Sequence, residues 1–240
     1  MKKTILLIWG PTSVGKTDLS VKLALDKDAP VIALDRFQGY QEIEMGSGAP
    51  SQEELKHTQR YYLTDTTDAL SHGIIDAQHA NERAKDLATS LLKDRSTVIM
   101  EGGSQSLIQA LIEDPFWEKY YWGIKLFTPP RDELFRQRIE KRVRQMLFPI
   151  DGRRSLLEEI ASFFVHTSNV EVLADIDGYR EIIQTYGRKH DFSHIHEIES
   201  SEVEQLIPLV VESYFKHAQG QQNVFRQAHQ HWEHFIISES

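Results

Sequence analysis

Apolar and polar positions along the first half of the chain fall into blocks that switch between two periods. Residues 4–9, TILLIW, form an unbroken apolar run that ends at a glycine-rich turn, as expected for a strand buried on both faces. TDLSVKLALDK follows, with Leu19, Val21, Leu23, Ala24 and Leu25 at partly helical spacing. APVIALD (29–35) predicts a second buried strand, ending in an aspartate. STVIMEGGS (96–104) predicts a third, ending in Glu-Gly-Gly, and WGIKLFTPP (122–130) a fourth, stopped by two prolines. Between them, residues 52–62, residues 76–93 and QSLIQALIED predict helices. Ala77, Ala80, Ala84, Leu87, Ala88 and Leu91 share one face of the second of these. The alternation predicts an α/β fold, a parallel sheet with helices on both faces.

After Pro130 the pattern becomes helical. RDELFRQRIEKRVRQML reads as a long amphipathic helix, with Pro130 suited to its first turn. SLLEEIASFF, DIDGYREIIQTYG and EVEQLIPLVVESYFKHA predict further helices, and Pro208 requires a first-turn position or a kink. The expected organisation is an α/β domain over 1–140, a smaller helical domain over 141–218 and a loosely attached polar, His-rich tail over 219–240. There is no internal repeat.

Composition narrows the chemistry. The 240 residues carry no cysteine, which excludes disulfides and thiolate metal sites and fits a reducing, cytoplasmic setting. The apolar run after MKK is about six residues, too short for a signal core, and no run reaches the roughly 20 residues of a membrane span. The formal net charge of −9 argues against a nucleic-acid partner. The oligomeric state is not legible, and a monomer is the default expectation.

GPTSVGKT matches G-x-x-x-x-G-K-[ST] at Gly10, Gly15, Lys16 and Thr17, between a strand and a helix. Such a loop turns several N–H groups toward one anion, and the following helix adds positive potential. Lys16 supplies a mobile charge and the Thr17 hydroxyl a ligand for Mg2+. The fold class is therefore P-loop NTPase-like. Thr12 either donates to a phosphate or helps form the turn. Asp35, at the end of a strand beside the loop, either accepts a proton from a bound nucleophile or caps a turn and pairs with Arg36. Glu101 either holds Mg2+ through water or belongs to a turn, in which Gly102 and Gly103 permit close ligand approach. Arg138 and Arg142 share a helix face, where a guanidinium over the loop would stabilise a leaving diphosphate; a solvated face paired with Glu140 is the simpler reading for most of these arginines. Tyr214 and His217, and Asp175, Asp177, Tyr179 and Arg180, read most simply as polar positions on amphipathic helices. His190, His194, His196 and the terminal HQHWEH are weak zinc candidates without a carboxylate frame.

GPTSVGKTDLS, VIALDRFQ, GSGAPSQEEL, EGGSQSL, DPFWEKYYW, SLLEEIA and DIDGYR together resemble the bacterial adenylate isopentenyltransferases that make cytokinins. The likeness spans about residues 4–218; FQGYQEIEM and the tail depart from it. The resemblance implies a P-loop domain and a helical domain with a channel between them. It implies transfer of a prenyl group from dimethylallyl diphosphate, or its 4-hydroxy analogue, to N6 of AMP with Mg2+. It assigns the diphosphate to Gly10, Pro11, Thr12, Ser13, Val14, Gly15, Lys16, Thr17, Arg142 and Tyr214. AMP falls to Asp35, Arg36, Ser47, Gly102 and Ser104, with Asp35 taking the N6 proton. Asp177 and His217 would line the prenyl pocket and favour a hydroxylated donor. Competing expectations are a tRNA isopentenyltransferase, which carries GTAKP and GGTGLY where this chain has GSGAP and EGGSQSL, a small-molecule P-loop kinase, and a nucleotide-binding protein without catalysis.

Overall fold

The computed structural model describes residues 2–64, 69–129, 132–228, 232 and 234–237, with the backbone alone over 222–228. The predicted role of Pro130 lies outside the described residues. Strands β1 (Thr4–Trp9), β2 (Val31–Leu34), β3 (Arg60–Tyr61), β4 (Thr97–Gly102), β5 (Tyr121–Leu126) and β6 (His234–Ile236) form one sheet in the order β3-β2-β4-β1-β5-β6. Every neighbouring pair is parallel. The α/β prediction holds, with two edge strands that the pattern did not announce.

Alternation within each strand explains the continuous apolar runs. Leu6 and Ile8 of β1 face one side, with Ala24 of α1 (Lys16–Lys27), Val31 and Ile99. Ile5, Leu7 and Trp9 face the other, with Ala80, Ala84 and Ala88 of α3 (Ala77–Asp94) and Leu107, Ile108 and Leu111 of α4 (Gln105–Glu113). Successive side chains of a strand point to opposite faces, so a strand covered on both sides has no polar positions to spare. Leu25 of α1 lies on the solvent side, at 58% exposure.

Two predicted segments fold differently. Residues 52–62 do not form one helix. The helix α2 covers only Gln52–Leu55, held by a capping box between Ser51 and Glu54, and Lys56 and His57 then turn left-handed. The chain straightens and Arg60–Tyr61 pairs with β2. The tail is also structured where described. Residues 219–228 continue helix α8 (Ser200–Ala228), Trp232 is buried, and β6 pairs with β5. Gly123 accommodates this strand, since a Cβ there would lie 2.5 Å from the Phe235 ring. Pro208 sits inside α8 beyond the first turn; it and Glu204, whose carbonyl loses its partner, are both exposed.

The motif DPFWEKYYW builds the core beside β5. Asp114 caps a 3-10 turn over Pro115–Lys119 by accepting from Phe116 N–H at 2.9 Å, and Asn81 Nδ2 donates to its other oxygen at 2.8 Å. Trp117 Nε1 donates to Asn81 Oδ1 at 2.9 Å, so the buried indole and amide satisfy each other. Trp122 stacks on Trp232 with ring centroids 4.1 Å apart.

The second half supplies a helical layer. Helix α5 (Asp132–Leu147) packs on α8, with α6 (Leu156–Thr167) and α7 (Tyr179–Tyr186) completing it. Phe135, Ile139 and Val143 of α5 share one buried cluster with Ile160, Ile182, Val210 and Phe215. A division at residue 140 would cut α5, and the same cluster takes in Tyr40, Ile43 and Met45 from the first half.

Trp232→Ala should lower stability by about 3 kcal/mol, because it empties a stacked, buried site on Trp122. Urea unfolding checks this; a tail resting loosely on the surface would leave the midpoint unchanged.

Candidate active site

The strand order places a crossover beyond the carboxyl ends of β1, β2 and β4, where open α/β sheets bind ligands. A cleft of about 860 Å3 opens there. One wall comes from the phosphate loop and strand ends, the other from α5, α7, α8 and the segment 46–50.

The phosphate loop bends through Ser13 at φ 65° and Gly15 at φ 92°. Gly15 precedes α1 without a side-chain cap, leaving the first N–H groups of the helix toward the cleft. Lys16 Nζ folds over the loop and donates to Pro11 O at 2.6 Å. Burial lowers the pKa of this ammonium, against the opposing pull of Glu101 and Asp35. Thr12, Ser13, Gly15, Lys16 and Thr17 line the cleft, and the buried Ser13 Oγ has no partner among the described residues. Gly10, Pro11 and Val14 do not line it. Gly10 lies against Phe127, where a Cβ would meet the Phe127 carbonyl at 2.8 Å, and Val14 is buried in the helical cluster.

Two carboxylates stand at the strand ends in different states. Glu101 is buried at the end of β4. Its Oε1 accepts from Thr17 Oγ1 at 3.0 Å, and its Oε2 from Ser20 Oγ at 2.6 Å and Arg60 Nη1 at 2.7 Å. Burial alone would raise its pKa, but Arg60, Lys16 and the Ser20 hydroxyl outweigh it and hold the group below the ordinary range. Among the described residues Asp35 has no such side-chain partner. Its Oδ1 accepts from Phe37 N–H at 2.8 Å in a tight turn, and Arg36 turns away to Ile75 O at 3.0 Å. The pairing of Asp35 with Arg36 is therefore not formed. Burial raises the Asp35 pKa against the Phe37 and Gln38 amides, Lys16 and Arg60. The absent side chains of Gly102 and Gly103 make room for backbone. A Cβ on Gly102 would lie 2.1 Å from Leu34 O, and one on Gly103 2.8 Å from Gly10 O.

The helical wall is basic where it faces the loop. Arg138, Lys141 and Arg142 line the cleft. Arg142 makes no hydrogen bond or salt bridge to a described residue. Arg144 instead pairs with Glu140 and Glu204, and Arg136 with Glu212, as a solvated helix face would. Asp177 Oδ2 meets His217 Nδ1 at 2.8 Å, and its Oδ1 accepts from Arg180 at 2.7 Å and Ser213 at 3.2 Å. The polar positions of α7 and α8 thus converge on the cleft. Ser47 and Ser104 line it as well, Ser47 donating to Glu44 O at 3.1 Å. His194 is exposed and pairs with Glu197 at 3.1 Å.

Three groups went unread in the sequence. Arg60 lay in a predicted helix, and only its place on β3 brings it to Glu101. Gln221, in the supposed tail, donates to Gly103 O at 2.6 Å and lines the cleft. Glu159 is buried behind the 46–48 segment and accepts from Met45 N–H at 2.7 Å, Gly46 N–H at 3.1 Å and the Tyr179 hydroxyl. Burial raises its pKa to about 7, against those three donors and the charge of Arg154.

The isopentenyl transferase family model matches residues 3–235. The chain belongs to the isopentenyl transferase family. It is 41% identical over 224 residues to an adenylate dimethylallyltransferase of Pantoea agglomerans pv. gypsophilae, covering 92% of this chain and 94% of that one. A second adenylate dimethylallyltransferase, from Ralstonia solanacearum, is 39% identical with 92% and 93% covered. A tRNA isopentenylpyrophosphate transferase of Staphylococcus epidermidis shares the fold, with a TM-score of 0.73 at 18% identity, covering 97% of this chain and 93% of that one. For this isopentenyl transferase, no helix among the described residues is long and apolar enough to cross a membrane.

The raised Glu159 pKa has a stability consequence. The folded state favours its protonated form, so the stability it confers is present below about pH 4.5 and lost as pH rises through about 7. Melting of the parent and Glu159→Gln across that range should show the parent losing ground to the variant at the alkaline end.

Proposed function

We propose that this isopentenyl transferase moves a prenyl group from an allylic diphosphate to N6 of AMP, releasing diphosphate. The relatives at 41% and 39% identity are adenylate enzymes, whereas the tRNA enzyme is matched at 18% and speaks for the fold. The observation that carries the reading is the joint presence, in one cleft, of the phosphate loop and a carboxylate, Asp35, that forms no salt bridge with a described residue.

Each residue then has a chemical task. The loop amides, the Thr12 and Ser13 hydroxyls, Lys16, Arg142 and Tyr214 hold the donor diphosphate. As the C1–O bond breaks, its electron pair passes to the diphosphate, where these donors stabilise the charge. The allylic carbon bears the developing positive charge, and the N6 lone pair forms the new C–N bond. Asp35 accepts the N6 proton, a role that its raised pKa suits. Ser47, Arg36, Gly102 and Ser104 border the AMP. The helical part, from α5 to α8, closes the channel.

A hard divalent cation fits the oxygen donors at the foot of the loop. The Thr17 proton is donated to Glu101, which leaves the hydroxyl lone pairs free for a metal, with Glu101 behind. Mg2+ there would add Lewis-acid stabilisation of the leaving diphosphate.

The Asp177–His217 pair supports acceptance of a donor that carries a terminal hydroxyl. With its Nδ1 held by Asp177, His217 keeps its other ring nitrogen, Nε2, to meet that hydroxyl.

Incubating the protein with AMP, each allylic diphosphate and Mg2+ should yield a prenylated nucleotide by mass analysis. Prenylation of tRNA alone, or ATP-dependent phosphorylation without a donor, would refute this reading. Asp35→Asn should retain AMP binding and lose about 100-fold or more in turnover. In competition between the two donors, Asp177→Gly with His217→Leu should shift preference about 10-fold toward the unhydroxylated one.

A further inference from the structure

The second half begins α6 with two adjacent glutamates that do different things. Glu158 closes a capping box: its Oε2 accepts from Ser155 N–H at 2.6 Å, and Ser155 Oγ accepts from Glu158 N–H at 3.2 Å. Glu159 faces inward at 1% exposure, with no charged partner in hydrogen-bond contact among the described residues. Three donors converge on it, the amides of Met45 and Gly46 and the Tyr179 hydroxyl. Two carboxylate oxygens accept all three; a glutamine would turn an amide N–H2 toward at least one of them.

The contacts around Gly46 come from every side. A Cβ there would lie 2.1 Å from the Tyr179 hydroxyl, so the phenol sits directly on the backbone. Tyr214 Oη, at 3.3 Å from both, bridges the Gly46 and Asp177 carbonyls. Gly46, Ser47 and Gly48 in turn border the cleft, next to the polar residues of α7 and α8. The segment's own backbone bonds are local turns, Ser47 N–H to Ile43 O at 2.9 Å and Gly48 N–H to Met45 O at 3.0 Å, while the buried Met45 side chain and Arg153, donating to Ala49 O at 2.9 Å, anchor its two ends.

We propose that Glu159 is a positioning residue for the acceptor nucleotide, clamping the Met45–Gly48 segment from behind through the Met45 and Gly46 amides and Tyr179. The helical half thereby sets the shape of a pocket wall that belongs to the first half. The clamp bears first on the acceptor side, since its amides are those of Met45 and Gly46 and no hydrogen bond joins Glu159 to the phosphate loop among the described residues. This inference rests on AMP being the acceptor. It also accounts for two motifs that the chemistry of transfer leaves unused, the second glutamate of SLLEE and the tyrosine of DIDGYR.

Glu159→Gln and Tyr179→Phe test the clamp, the second keeping the buried ring so that the fold survives even if the first variant is unstable. Amide hydrogen exchange without any ligand should quicken about 10-fold or more at Met45 and Gly46 while the phosphate loop is unchanged. Calorimetric titration with AMP should show affinity falling about 10-fold in Glu159→Gln and less in Tyr179→Phe, with the donor KM and kcat at saturation within about twofold of the parent. Unchanged exchange at both amides, unchanged AMP affinity, or a parallel loss of donor KM and kcat overturns the proposal. A parent that binds no AMP, with exchange still quickened in the variants, would sink the acceptor assignment and leave the clamp standing.

Discussion

A buried carboxylate at the end of the central strand holds the catalytic half together. Glu101 joins β4 to α1 through Thr17 and Ser20, and to the edge strand β3 through Arg60. Its partners come from two distant parts of the chain, the first turns of α1 and the edge strand β3, so one group ties the seat of the phosphate loop to the sheet. Arg60 makes this tolerable. An uncompensated charge at such a site costs about 3–5 kcal/mol, whereas the pair with its hydroxyl donors leaves both oxygens satisfied. The contrast with Asp35 follows. Forming no salt bridge with a described residue, Asp35 keeps the proton affinity that Glu101 gives up.

The cleft needs both halves because each supplies what the other lacks. The sheet edge offers N–H groups, a lysine and carboxylates. The helices offer arginines and the Asp177–His217 pair. Among the described residues Arg142 forms no salt bridge, on a helix where Arg136 and Arg144 are each paired, and it lines the cleft. The segment between β2 and α2 is held from the helical side by Glu159, Tyr179 and Tyr214. The cleft is therefore not a gap between two bodies but a surface on which they share residues, and the buried cluster running from Tyr40 to Phe215 is continuous across it.

The four long strands, the phosphate loop and the amphipathic helices were legible because each is a local pattern. An apolar run before GPTSVGKT means a buried strand whatever lies elsewhere, and Ala80, Ala84 and Ala88 mark a helix face by spacing alone. The departures have a common cause. Arg60–Tyr61 is too short to show a period, and its strand exists only because β2 offers an open edge. Residues 219–237 look polar and loose, yet α8 continues and Trp232 finds Trp122. Gly102 and Gly103 read as room for a ligand, and beside the cleft they also make room for the carbonyls of Leu34 and Gly10.

The sequence by itself determined the class of fold and the anion-binding loop, because backbone preferences and side-chain chemistry act over a few residues. Tertiary structure alone decided which carboxylate is neutralised and which is left basic, which arginines pair with a glutamate, and what stands behind Gly46. Those properties depend on burial and on neighbours 41 to 114 positions apart in the chain, and no local pattern encodes such distances.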